Sequence, residues 1–174
     1  MALPLPNPRI IRGDDSYPLP VGGLSKSVRA TPTLTVHATY AANDYVGTSG
    51  VAMIFADAAR IVNGKGWIVG AHLTDYALQS VACELWLFDT AITPPDDSAA
   101  WTLSDAHMAR RICVIPFSTY YASALNSGAD GVPAAAALFQ TLAASKDIYG
   151  CLVTRGAPAY ASGDLTVVLD IIQD

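Results

Sequence analysis

Apolar and polar residues alternate with period two in short segments separated by turn-forming residues, the pattern of strands that bury one face and expose the other. Segment 33–40 sets Leu34, Val36, Ala38 and Tyr40 against Thr33, Thr35, His37 and Thr39. Segment 51–55 follows a glycine turn, and Asn63-Gly64-Lys65-Gly66 introduces segment 67–73, where Trp67, Val69, Ala71 and Leu73 fall on one face. In 80–89, Val81, Cys83, Leu85 and Leu87 alternate with Ala82, Glu84, Trp86 and Phe88. Both sets are largely apolar, which predicts a central strand with a partner on each side. Segments 111–117, 147–154 and 164–172 read as further strands. The alanines of 134–145 favour helix, but its position between strands assigns it to a sheet. Ser104 is placed to cap a helical turn or two that reaches Arg110.

About eight short strands with no alternating long helices predict an all-β fold, an antiparallel two-sheet sandwich over residues 33–174. The jelly roll is the commonest eight-strand form. Val81, Leu85, Leu87, Val167 and Leu169 are its expected core. Residues 1–32 read as an extended proline-rich N-terminal arm carrying Pro4, Pro6, Pro8, Pro18, Pro20 and Pro32. Proline removes backbone donors and so excludes such a stretch from a sheet interior. Leu3, Leu5, Ile10, Ile11, Tyr17 and Leu24 are too many apolar residues for a solvated linker, so the arm is expected to lie along another surface.

Composition narrows the function. The 174 residues suit one domain, and 10 basic against 15 acidic side chains give a net charge of −5. That balance argues against a nucleic-acid groove. Apolar residues make up 52% and charged residues only 14%, against roughly 25% charged in ordinary soluble domains. A surface this poor in charge points to an assembly, here a homo-oligomer. Mean hydropathy is +0.33, yet no apolar run reaches the roughly 18 residues that a membrane span needs. Neither a secretory signal nor a cysteine framework is present: Cys83, Cys113 and Cys151 are odd in number and set among apolar neighbours, as buried thiols are.

No residue pattern signals catalysis. His37, His72 and His107 lie on separate segments without ligand spacing, and no Gly-x-Ser-x-Gly elbow or phosphate loop occurs. No metal or cofactor is expected. Asp96 and Asp97 sit at an apparent turn, where a carboxylate bonds its own backbone. Arg12-Gly13-Asp14 matches the integrin tripeptide, three residues that chance supplies readily. Trp67 and Trp86 read as core. Trp101, in a loop, and Tyr120 and Tyr121 are candidates for contact with a partner, as are the apolar arm residues. Exposed aromatics would also suit a carbohydrate-binding sandwich.

One resemblance covers roughly residues 33–174. It rests on a series: Tyr40-Ala41-Ala42-Asn43-Asp44-Tyr45-Val46-Gly47, then Phe55-Ala56-Asp57-Ala58-Ala59-Arg60, then Leu85-Trp86-Leu87-Phe88-Asp89. Ser104-Asp105-Ala106, the stretches 112–116 and 148–153, and the ending Asp-Leu-Thr-Val-Val-Leu-Asp-Ile-Ile-Gln-Asp continue it. In order and spacing the series resembles small structural proteins of tailed bacteriophages, of the capsid cement or decoration type. The resemblance implies a virion structural protein with a jelly-roll body that binds the major capsid protein and itself, as a dimer or trimer. It implies a place on the capsid exterior after assembly in the host cytoplasm. A neck, tail or baseplate component is the alternative within that family of structures.

Overall fold

The computed structural model describes residues 24–34 and 38–174, so Leu3, Leu5, Ile10, Ile11, Tyr17, the Arg12-Gly13-Asp14 tripeptide and His37 lie outside the described residues. In chain order the strands are β1 (Leu24–Ala30), β2 (Ala38–Thr39), β3 (Tyr45–Val46), β4 (Met53–Phe55), β5 (Lys65–Asp75) and β6 (Cys83–Phe88). After the single helical turn α1 (Asp105–Met108) come β7 (Arg111–Phe117), β8 (Tyr120–Ala122), β9 (Ser127–Gly131), β10 (Ala137–Gln140), β11 (Ile148–Thr154), β12 (Ala159–Tyr160) and β13 (Leu165–Gln173). The first sheet runs β1-β13-β5-β9-β8, with β10 pairing the N-terminal end of β5 and β9 its C-terminal end. The second runs β3-β11-β6-β7, with β4 pairing β11 ahead of β3. All of these pairings are antiparallel, as the sequence pattern predicts for a two-sheet sandwich.

The core lies between the sheets. Leu85, Leu87, Ile115, Phe117, Ile148 and Leu152 of the second sheet meet Ile68, Ala71, Leu73, Val167 and Leu169 of the first. Four of the five expected core residues are buried; Val81 is half-buried just before β6, where its carbonyl accepts the Tyr120 hydroxyl at 2.6 Å. Strand β6 is central, with β11 on one side and β7 on the other. Its second apolar face is also covered. Tyr45, Ala52, Phe88, Ile92 and Cys151 form a smaller cluster there, with Trp86, Trp101, Leu103 and Tyr149 packed against it. Segment 89–103 forms part of that cover, and Asp97 helps pin it. Its buried carboxylate accepts the Tyr40 hydroxyl at 2.8 Å and the Gly47 amide at 3.3 Å, so it bridges distant segments where the sequence suggests only a local turn.

Two other expectations change. Residues 24–30, assigned to the arm by sequence, form β1 and pair along all seven positions with β13. The last proline before them is Pro20, so the loss of backbone donors does not reach this stretch. Alternation over 33–40 yields a strand only at Ala38–Thr39 among the described residues. Segment 134–145 joins the sheet as expected, through the four residues of β10. The helical turn does form where expected, with the Ser104 hydroxyl accepting the His107 amide at 3.2 Å.

Candidate functional site

The outward face of the first sheet leaves the Trp67 ring and several large aliphatic side chains in water. Strand β5 creates it through a break in alternation. Gly70 pairs with Asp170 and Ile68 with Ile171, so Val69 is an extra residue with no partner on β13. A one-residue bulge inverts the side-chain phase. Ala71 and Leu73 therefore point into the core, while Trp67 and Val69, expected on the same face as those two, point out. Trp67 is thus not a core residue: it is 47% exposed. Its cross-strand neighbours extend the patch, since Leu138 on β10 and Ile172 on β13 pair directly with it. Leu138 is 67% exposed and Ile172 40%. Val132, just beyond β9, borders the same surface.

A polar band crosses the sheet beside this patch. His72 on β5 places Nδ1 at 2.7 Å from Asp130 on β9 and Nε2 at 2.7 Å from Asp170 on β13. The Ser27 hydroxyl on β1 donates to Asp170, so four adjacent strands are tied together. A carboxylate at each ring nitrogen is fully satisfied only when both nitrogens carry hydrogen. The ring's affinity for its second proton is accordingly raised, by the Asp130 bond first and against the desolvation that opposes it, with Asp170 adding to the rise. The cluster can hold and release a proton. Ser27 is bonded to the carboxylate and not to the imidazole, so His72 is not positioned to activate that hydroxyl. Sequence reading missed this bridge because its members lie 58 and 98 residues apart; their outward positions on neighbouring strands were the only available signal.

The remaining candidates divide. Tyr121 is 71% exposed and Leu125, near the tip of the β8–β9 hairpin, is 81% exposed. Tyr120 points the other way, packing against the main core with its hydroxyl bonded to Val81. Trp101 is half-buried: its ring stacks on Tyr45 at 5.9 Å and meets the edge of Trp86 at 5.8 Å. Trp86 is half-buried in the same cluster and donates to Glu84 at 3.0 Å. The Arg155 guanidinium bonds Glu84 and holds its carboxyl below the usual range.

The thiols of Cys83, Cys113 and Cys151 are free. Burial pushes Cys83 up to about 11 and Cys113 up to about 12, and raises Cys151 as well. Among the described residues no group of three or more His, Cys, Asp or Glu is placed to hold a metal ion, and no helix is long and apolar enough to cross a membrane. No family model, curated protein or solved structure matches the chain.

Proposed function

We propose that the chain is a virion structural protein, a head decoration protein that binds the major capsid protein and stabilises the shell from outside. The observation that carries this reading is that a charge-poor chain leaves two separate apolar surfaces in water. One is the Trp67–Val69–Leu138–Ile172 face; the other is the β8–β9 hairpin with Tyr121 and Leu125. Along β5 the His72 band lies between them, since Tyr121 pairs with Gly128 and Gly128 with Thr74. A subunit with two such surfaces suits two kinds of neighbour, a copy of itself and the shell.

The jelly-roll form is supported by strand order. With β3 and β4 counted as one strand, β9 and β10 as another, and β2, β8 and β12 set aside, the eight strands interleave as 1-8-3-6 and 2-7-4-5. That is two Greek keys wound together, an architecture that virus capsid proteins share. We assign the shell contact to the hairpin and to the apolar arm residues. The reading gives the chain no chemical step.

The test is co-sedimentation of the full chain with shells of the virus that encodes it. Binding is expected to saturate at a fixed ratio to the capsid protein, and Tyr121→Asp is expected to weaken it. A chain that stays in the supernatant at all concentrations, or that labels tails and not heads, overturns the assignment.

A further inference from the structure

The outer face of the first sheet combines an exposed apolar centre with Lys65 toward one end and Asp130 toward the other. We infer that two chains associate through this face about a two-fold axis passing near Val69. The inference deepens the self-association part of the reading above, and its test contains no capsid, so it fails or holds apart from the shell assignment.

Three observations carry it. The first is apolar content at the centre. Leu138, Trp67 and Ile172 form one cross-strand row, with Val69 beside it. Hollows on either side of the Trp67 ridge, one bordered by Val69 and Val132 and the other by Leu138 and Phe139, give a facing ridge somewhere to sit.

The second is size. With the hairpin strand β8 left out, the four strand positions β1, β13, β5 and β10/β9 at about 4.8 Å each and an eleven-residue central strand at about 3.4 Å per residue give a face of roughly 20 by 35 Å, about 700 Å² before side-chain relief is added. A stable dimer buries about 800 Å² per partner, so the face is large enough without help from another surface. Sheets stack face to face at about 10 Å in the interior of sandwiches; here the same packing would join two outer faces.

The third is the placement of charge. At one end of the patch Lys65 points outward from β5, and no ion pair holds its ammonium among the described residues. At the other end stands Asp130, whose side chain is 69% exposed although one oxygen engages His72. Val69 is four residues from Lys65 and three from His72, the direct pairing partner of Asp130. A two-fold axis that lies in the interface and crosses β5 at Val69 brings Lys65 of each chain toward Asp130 of the other while the apolar rows meet in the middle. An isologous contact requires this kind of self-complementarity.

Sedimentation velocity of the full chain at micromolar concentration tests the inference. The expected species has twice the 18.2 kDa chain mass. Val69→Asp is expected to raise the dimer dissociation constant about 30-fold or more, as loss of a central apolar contact does. Leu138→Lys on the short strand β10 gives a second route to the same result should Val69→Asp fold poorly, and circular dichroism checks both. Lys65→Glu and Asp130→Lys are each expected to weaken the dimer several-fold, and the double variant to recover most of that loss. A full chain that remains monomeric, a trimeric mass, a dimer indifferent to both apolar substitutions, or a charge reversal without recovery would each overturn the two-fold contact.

Discussion

Replacing Leu85 by alanine is the sharpest probe of the sandwich core. Leu85 lies on the central strand of the second sheet, 0% exposed, with Leu152 paired on one side and Ile115 on the other. Both neighbours belong to the same buried cluster. The backbones around it are fixed by ladders on both sides, so the space left by truncation has little freedom to collapse. Leucine-to-alanine changes in cores cost about 2–5 kcal/mol and rise with the cavity retained; the upper part of that range, about 3–5 kcal/mol, applies here. For a domain of this size each kcal/mol lowers the melting temperature by about 2–4 °C, giving a drop of roughly 6–20 °C. Urea unfolding followed by circular dichroism should show a lower midpoint with an unchanged slope. Ile61→Ala, 62% exposed and away from the outer face of the first sheet, should stay within about 0.5 kcal/mol. A Leu85→Ala cost below about 1 kcal/mol would refute the placement of Leu85 between two packed sheets.

Other expectations follow from particular contacts. The raised proton affinity of His72 stabilises the fold fully below its unfolded value of about 6.5, and that stabilisation is lost as pH climbs through the higher folded value. Wild type should therefore lose its advantage over His72→Gln on the alkaline side, by less than about 1 kcal/mol because the ring is half exposed and screened; an advantage that grows on alkalinisation would contradict the bridge. Gly150→Val should destabilise strongly, since a Cβ there would lie 2.7 Å from the Phe55 ring and 3.1 Å from Leu85; a variant with unchanged melting would show that the site has room. Deleting residues 1–30 removes β1 and should lower the unfolding midpoint relative to deleting 1–22, which keeps it; equal midpoints would mean that β1 adds nothing. At neutral pH the three protonated, largely buried thiols should react with a disulfide reagent far more slowly in the native chain than in urea; comparable rates would show them open to solvent.

Much of the sheet was legible because burial on a strand repeats every second residue. Strand β6 shows it best: Leu85 and Leu87 face the main core while Trp86 and Phe88 face the smaller one, and the doubly apolar pattern correctly indicated a central strand. Strand β5 shows where that reasoning stops. The bulge at Val69 is a property of its pairing with β13, a segment about a hundred residues away, so the sequence of β5 alone continues an alternation that the sheet breaks. Trp67 was assigned to the core for that reason, and the exposed face went unseen with it. The boundary of the arm failed for a related cause. Proline marks where a strand cannot be, but nothing local says that 24–30 has a free edge on β13 waiting for it. Tyr120 and Tyr121 were grouped by adjacency, although neighbouring residues on a strand point to opposite faces; one supports the core and the other is open to solvent.

Electron cryomicroscopy of intact particles from the virus that encodes the chain tests the functional reading most directly. The expected result is density for a two-sheet sandwich on the outside of the head, in fixed stoichiometry with the capsid protein and with its β8–β9 hairpin toward the shell. Complete, infectious particles that contain no copy of the chain, or copies confined to the tail, would contradict it.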